Sequence, residues 1–357
     1  MSNLVDVRCT HIEDELMRVR FAHSQLISDH PEQWGGTDTG PAPGEMVLMA
    51  LASASAFAGY RHAARHGLDV AHISARTNMA SLQEGLPEEL RDVPLPHLTY
   101  ADRFWRLLEI DGNLSENERN ALIDAMSDNR IANTIRTGMA LERRVDFRPS
   151  QGARRRSAES QGNHRLQGRK PIPAGEKRIA ATADNWLVSA AALDERTCLV
   201  KAAGSMSVVG DETGSQRGPT PEELLLGGLA ACTTIYVARN AQFLGIDVES
   251  VSVHARAELS GDPSQPISRV EKVTEICGDL SEDDKSKLEL LAGYCAFGLT
   301  LSHSTPIEDS VLINEVRTAN RLAAGPAPLD RDAPAPNDPS YCTDGSCCVP
   351  ELVRKAS

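Results

Sequence analysis

The 357-residue chain lacks long apolar runs, an excess of basic charge and an apolar N-terminal segment. No apolar run approaches the roughly 18 residues of a membrane-spanning helix, so we expect no membrane partner. Residues 1–13 are charged and do not have the pattern of a secretory signal peptide. With 37 Lys and Arg against 50 Asp and Glu, the net charge of −13 offers no general footprint for nucleic acid. Eight cysteines without a secretion signal predict a reducing compartment, so we expect a cytoplasmic protein.

Two changes in composition divide the chain. Residues 149–176 are rich in Arg, Gly, Ser and Gln and cannot bury enough apolar surface to order themselves, so they are predicted to be a flexible basic linker. A contact with nucleic acid or an acidic partner is one interpretation of this linker, and a solvated tether between two acidic domains is the favoured one. Residues 320–357 form a Pro-rich tail. We therefore predict two domains, at 1–148 and 177–319.

An internal repeat lies on either side of the basic linker. Residues 40–52 align without a gap with residues 218–230, and residues 114–117 align with residues 280–283. A repeat of this length indicates domain duplication, because solenoid repeats are much shorter. The chain is therefore predicted to contain two copies of one domain.

The two copies differ in their cysteines. The second copy carries Cys232 inside a long apolar segment and Cys295 after an amphipathic helix. The alignment places Ala54 opposite Cys232 and Asn129 opposite Cys295. A lone cysteine in an apolar helix is usually a core residue, but two in this framework favour redox chemistry. The first copy cannot perform thiol chemistry at these positions.

Each copy is predicted to begin with short strands that lead into a long, buried helix. In the second copy, Thr220 and Glu223 have the spacing of a capping box, and Pro221 suits the first helical position. Gly245 is expected to stop this helix, and a second helix is expected to begin after Ser281. The predicted strands are 5–10, 17–22, 25–29, 179–183, 187–191, 197–202, 251–257 and 270–276.

The segments around the two cysteines resemble the OsmC/Ohr superfamily of organic hydroperoxide reductases, and its OsmC-like branch most. The resemblance is most specific in Glu222-Glu-Leu-Leu-Leu, in Ala-Ala-Cys232, and in Tyr-Cys295 with the following Leu-Thr-Leu-Ser-His. It implies an α+β fold in which curved antiparallel sheets wrap long central helices and two subunits intertwine. Here the two copies would form an intramolecular pseudo-dimer, and a further homodimer of such chains is left open.

The resemblance also implies the roles of individual residues. Cys232 corresponds to the peroxidatic thiol, Cys295 to the resolving thiol, and Glu222 to the carboxylate that holds an activating arginine. In the family, that arginine comes from the N-terminal strands of a subunit. Three residues are candidates for it: Arg18 and Arg20 of the first copy, and Arg196 of the second.

The function expected from these residues is reduction of organic hydroperoxides through a Cys232 sulfenic acid, which Cys295 resolves to a disulfide. No cofactor is required, and a small dithiol or a redox protein would return the electrons. The alternative function is non-catalytic binding or trafficking of a soft metal or a thiol-reactive ligand. A third interpretation is a structural partner whose degenerate first copy recruits another molecule.

The tail contains a separate cluster of Cys342, Cys347 and Cys348. Three interpretations remain open for it. The cluster is a mobile dithiol that reduces the active-site disulfide by exchange, or it binds a soft ion such as Cu(I) through thiolates, or its cysteines are incidental. A structural zinc site is disfavoured because no fourth ligand stands nearby.

Overall fold

The computed structural model describes residues 4–13, 15–30, 36–79, 83–84, 99–149, 188–194, 196–202, 205–210 and 217–314. All of them belong to one compact unit, Met1–Ala324. The predicted linker, apart from its first residue, and the whole predicted tail lie outside the described residues. The domain boundaries therefore remain predictions.

The described residues form six helices and fourteen strands. The helices are α1 (Pro43–His66), α2 (Glu116–Ser127), α3 (Arg130–Thr137), α4 (Pro221–Phe243), α5 (Glu282–Gly293) and α6 (Ala296–Ser302). The strands are β1 (Leu4–Glu13), β2 (Leu16–Arg20), β3 (Gln25–Ser28), β4 (Val70–Met79), β5 (Gln83–Glu84), β6 (Thr99–Tyr100), β7 (Phe104–Gly112), β8 (Ala140–Arg148), β9 (Val188–Asp194), β10 (Thr197–Ala202), β11 (Ser205–Gly210), β12 (Ser250–Glu258), β13 (Arg269–Cys277) and β14 (Ile307–Asn314).

The two copies exchange their N-terminal strands. One six-stranded sheet has the order β3-β2-β1-β12-β13-β8, and the other has the order β11-β10-β9-β4-β7-β14. Strand β1 of the first copy pairs antiparallel with β12 of the second, and β9 of the second pairs antiparallel with β4 of the first. The expected α+β fold and intertwined pseudo-dimer are therefore confirmed. Each sheet also ends in a parallel pair, β13 with β8 or β7 with β14, which the resemblance did not predict.

The long helices α1 and α4 are buried at the centre and pack on each other. Two glycines allow their close approach. A Cβ atom on Gly227 would lie 2.6 Å from the Met46 methyl group, and one on Gly228 would lie 2.7 Å from the Pro43 carbonyl oxygen. Helix α4 is apolar enough in length and composition to cross a membrane, but 83% of its apolar window is buried within the protein, as in a core helix.

The ends of α4 follow the predicted local chemistry. The Glu223 backbone N–H donates to Thr220 Oγ1 at 3.1 Å, and the Thr220 backbone N–H donates to the Glu223 carboxylate at 2.8 Å. This capping box stabilises a helix start by about 1 kcal/mol. Gly245 adopts φ 72° just beyond the helix, a left-handed conformation that favours glycine. Both predicted ends of α4 are confirmed.

The strand predictions are incomplete in both copies. In the second copy, the segment 197–202 is β10, but 179–183 lies outside the described residues. The third described strand of that copy is β11, at 205–210, which was not predicted. The other strands that were not predicted are β4, β5, β6, β7, β8 and β14. Most residues of the edge strands β8 and β14 are exposed, so their sequences lack the apolar alternation on which the predicted strands rest.

Candidate active site

The two cysteines of the second copy meet in the core. Cys232 lies midway along α4, and Cys295 is the residue immediately before α6. The two thiols lie close enough for each to shift the pKa of the other. Cys232 is 8% exposed and Cys295 is fully buried. The fold thus brings together two thiols that are 63 residues apart in the sequence.

Hydrogen-bond donors surround this thiol pair. The Gly298 backbone N–H donates to Cys295 Sγ at 3.2 Å, and the Thr233 hydroxyl lies 3.2 Å from the same sulfur. The Phe297 backbone N–H donates to Cys232 Sγ at 3.5 Å. Cys295 therefore has the closer backbone donor, which favours a negative charge on its sulfur.

A buried lysine supplies the positive charge of the site. Lys272 lies on β13, and its side chain is 1% exposed. Its ammonium donates to Thr233 Oγ1 at 3.1 Å and to the Ala292 carbonyl oxygen at 2.8 Å. An ammonium buried without a counter-ion costs several kcal/mol, so a neighbouring thiolate stabilises it.

The two thiols differ in how easily they lose a proton. The neighbouring Cys232 thiol is the largest influence that lowers the pKa of Cys295, to about 5. The charge of Lys272 acts in the same direction, and burial opposes both. The neighbouring Cys295, together with burial, raises the pKa of Cys232. Of the two side chains, Cys295 therefore favours the thiolate form and Cys232 the thiol form.

The first copy also contributes to the edge of this site. Arg143 lies on β8, directly opposite Lys272 on the paired strand β13. Its exposed side chain places the guanidinium 5.3 Å from the centre of the Tyr294 ring, next to Cys295 in the sequence. Burial is the main reason that the pKa of Lys272 is lowered, and the charge of Arg143 lowers it further.

The three arginines proposed as activators lie elsewhere. Arg18 and Arg20 are exposed on β2, because the alternation of that strand turns their neighbours Met17 and Val19 into the core. Arg196 lies in the turn between β9 and β10, where its backbone N–H donates to Asp194. Within the described part of the chain, Lys272 is the cation whose charge lowers the pKa of both thiols, and the activating arginine stays a prediction.

Glu222 forms an ion pair with an arginine that was not among the three candidates, Arg130. Its carboxylate lies 3.4 Å from Arg130 Nη1, at the start of α3 in the first copy. The guanidinium of Arg130 also donates to the carbonyl oxygens of Ser260 and Asp262, each at 2.6 Å. Glu222 therefore connects the two copies through Arg130. Its ion pair lies ten residues, or roughly 15 Å of helix, from Cys232.

Lys272 and Thr233 were not identified from the sequence as site residues. One signal pointed to the lysine. Inward-facing positions of β13 carry Val270, Lys272, Thr274 and Ile276, so a basic residue interrupts an apolar pattern. Extending the repeat alignment places Arg106 opposite Lys272, and both side chains are buried. Basic residues are rarely buried unless they are paired, so their presence at equivalent strand positions of both copies could have indicated a site.

The equivalent place in the first copy is a closed ion pair. Arg106 is fully buried, and its guanidinium donates to both carboxylate oxygens of Asp309, at 2.7 and 2.8 Å. It also donates to Ser55 Oγ at 2.9 Å. Asn129, in the position of Cys295, caps α3 by accepting from the Ala132 backbone N–H at 3.0 Å. This site has the cation and the hydroxyl of the thiol site, but Ala54 and Asn129 stand in the positions of its two cysteines.

The remaining described cysteines are unsuited to this chemistry. Cys9 and Cys198 are buried in the core, and burial raises the pKa of both thiols, that of Cys9 to about 12. Cys277 is partly exposed and donates to the Pro149 carbonyl oxygen at 3.3 Å. The cysteines of the tail, Cys342, Cys347 and Cys348, lie outside the described residues, so each interpretation of that cluster remains a prediction.

Known proteins similar to this chain were found by family model and by solved structure. Residues 213–309 match a family model described as OsmC-like protein. An OsmC like protein from Mycoplasma pneumoniae is 19% identical over 37% of this chain and 86% of its own, with a TM-score of 0.30. A hypothetical protein from Aquifex aeolicus VF5 is 18% identical over 36% of this chain and 96% of its own, with a TM-score of 0.29. No curated protein matches the chain. Over residues 213–309, this chain is similar to the OsmC-like proteins.

Proposed function

We propose that this protein reduces organic hydroperoxides to alcohols with the thiol pair Cys232 and Cys295. The observation that carries the proposal is the buried pair of cysteines, in which Cys295 contacts the Thr233 hydroxyl that accepts from Lys272. Such a pair holds a thiolate at neutral pH, and a thiolate is the form of cysteine that attacks a peroxide bond. The similarity of residues 213–309 to OsmC-like proteins supports a redox role of this kind.

In the proposed mechanism Cys232 is the peroxidatic residue, because its sulfur belongs to the more exposed of the two side chains. Its proton moves to the neighbouring sulfur of Cys295 while its own sulfur attacks the outer peroxide oxygen. The S–O bond forms and the O–O bond breaks, so the sulfur is oxidised to a sulfenic acid and the peroxide is reduced to an alkoxide. The alkoxide takes the proton from Cys295 and leaves as the alcohol.

Cys295, again a thiolate, then attacks the sulfenic sulfur of Cys232. The disulfide forms and hydroxide leaves, taking a proton from the ammonium of Lys272 to become water. The loss of this proton keeps the buried site neutral, because the thiolate that balanced Lys272 no longer exists. A dithiol reductant returns two electrons and two protons, which restore the Cys232 thiol and the Lys272 ammonium, and is itself oxidised to a disulfide.

The surroundings of the thiols favour an organic substrate over hydrogen peroxide. Apolar side chains of Leu141 and Leu229 lie beside Gly298, next to the Cys295 sulfur. Burial of an organic substituent against such side chains is favourable, at about 25 cal/mol per Å² of apolar surface. Hydrogen peroxide has no apolar group and gains nothing there.

The test is rapid mixing of the fully reduced protein with cumene hydroperoxide and, separately, with hydrogen peroxide, followed by a free-thiol count. We expect fast loss of two thiols with the organic peroxide and slower loss with hydrogen peroxide. Cys232→Ser should abolish the fast phase, and deletion of residues 340–357 should leave it intact. Thiol loss at the rate of an ordinary cysteine would contradict the proposal.

A further inference from the structure

Tyr236 lies one helical turn after Cys232 on α4, and its hydroxyl has no hydrogen-bond partner in the described part of the chain. The hydroxyl oxygen is inaccessible to solvent. Most buried hydroxyl groups in proteins are paired, because a hydroxyl withdrawn from water without a partner loses its hydrogen bonds to water. An unpaired one beside a reactive pair therefore needs an explanation.

The position of Tyr236 directs its ring towards the thiols. Residues at i and i+4 share one face of a helix, and long helical side chains lean towards the N-terminus, which here means towards Cys232. Burial is the main cause that raises the pKa of Tyr236, and the charges of Cys295 and Cys232 raise it further. The phenol is thus protonated and within electrostatic range of both sulfur atoms.

The repeat shows that this tyrosine accompanies the thiols. In the alignment that places Ala54 opposite Cys232, Ala58 stands opposite Tyr236. The first copy retains a buried cation and a hydroxyl next to it, in Arg106 and Ser55, but it lacks both thiols and the phenol. A phenol that served only to fill the core would have no reason to be absent where the thiols are absent.

We propose that the Tyr236 hydroxyl donates a hydrogen bond to the hydroperoxide, at the oxygen that leaves as the alkoxide. This inference rests on the proposed peroxidase function. The bond positions the O–O axis in line with the Cys232 sulfur and strengthens as negative charge develops on the leaving oxygen. The phenol keeps its proton throughout, so it adds no step to the proton balance. Its hydroxyl is unpaired in the resting protein because its partner is the substrate.

The variant Tyr236→Phe tests this role, because it removes the hydroxyl and keeps the ring. We expect the second-order rate of thiol loss with cumene hydroperoxide to fall by about tenfold or more, as for loss of one hydrogen bond in a transition state. We expect Tm to stay unchanged or to rise, because the variant removes a buried unpaired group. Tyr60→Phe on α1, the same change in the copy without thiols, should react at the wild-type rate.

Three other results would overturn the inference, and they distinguish the role of Tyr236 from the proposed function. If the wild type reacts rapidly and Tyr236→Phe reacts equally fast, the proposed function stands and the role of Tyr236 does not. If Tm falls in Tyr236→Phe, the hydroxyl already has a structural partner and is not reserved for substrate. If the wild type itself reacts no faster than an ordinary cysteine, both the proposed function and this inference fail.

Discussion

The two copies of the domain place a buried cation at the same position but balance it with different anions. In the first copy Arg106 is paired with the carboxylate of Asp309 from β14. In the second copy Lys272 lies beside the thiol pair, where its charge favours the thiolate form of Cys295. The fold therefore requires an anion beside this cation, and only the second copy supplies one that can react.

The residue opposite each cation on the neighbouring strand explains this difference. Asp309 pairs with Arg106 across β14 and β7, and Arg143 pairs with Lys272 across β8 and β13. These two positions are also equivalent in the repeat. An aspartate in the first copy thus corresponds to an arginine in the second. With a second cation instead of a carboxylate opposite it, Lys272 has the thiolate as its counter-ion.

The largest effect is expected from breaking the ion pair of the first copy. Asp309→Asn leaves the fully buried Arg106 without its carboxylate, which should lower the free energy of unfolding by about 3 kcal/mol. Urea titration measures this loss. The peroxide rate at a temperature where the variant is folded should match the wild type. A lower rate with unchanged stability would show that the first copy acts in the chemistry.

Removal of the cation in the second copy should impair the reaction. Lys272→Met retains the length and apolar stem of the side chain but removes the charge that lowers the pKa of Cys295. We expect the peroxide rate at neutral pH to fall by about 100-fold, or ~2.7 kcal/mol in the activation barrier. The thiolate absorbance, followed against pH, should titrate at a higher pH than in the wild type. An unchanged titration would exclude Lys272 as the activating cation.

A charge exchange can give the second copy the arrangement of the first. In Arg143→Asp a carboxylate stands opposite Lys272, as Asp309 stands opposite Arg106, and competes with the thiolate for the ammonium. We expect the peroxide rate to fall by about tenfold. Arg144→Asp, the same change on the neighbouring residue of β8, is the matched control and should retain the wild-type rate. Equal rates in the two variants would show that the charge opposite Lys272 does not affect the reaction.

The smallest effect is expected from pH within the neutral range. The pKa of Cys295 is lowered, so its thiolate is present above about pH 5 and is lost as the pH falls through that value. The peroxide rate should therefore change by less than about twofold between pH ~6.5 and ~8 and decline at acid pH. An ordinary exposed thiol, measured in parallel, should react steadily faster over the same range. A similar rise in this protein would show that neither cysteine is a resting thiolate.

Local chemistry in the sequence predicted those parts of the fold that depend on neighbouring residues. The capping box of Thr220 and Glu223 and the stop at Gly245 both follow from short-range patterns. The missing thiols of the first copy followed from the repeat alone. These features need no knowledge of how the two copies pack.

The cation of the site depends on packing and was not predicted. Lys272 reaches the thiols only because β13 places it on the inner face of the sheet, 40 residues along the chain from Cys232. The resemblance directed attention to the N-terminal strands instead. There Arg18 and Arg20 fall on the outer face, since their apolar neighbours occupy the inner one. Alternation along a strand predicts on which side of the sheet a residue lies, but not which residues it contacts there.

The most direct test of the central claim is to identify the disulfide that a single equivalent of cumene hydroperoxide produces. The reduced full-length protein would be oxidised, digested without reduction and analysed by mass spectrometry. The account predicts one major cross-link, between the peptides that contain Cys232 and Cys295, with Cys342, Cys347 and Cys348 still reduced. A major cross-link within the tail, or no disulfide after the peroxide is consumed, would contradict it.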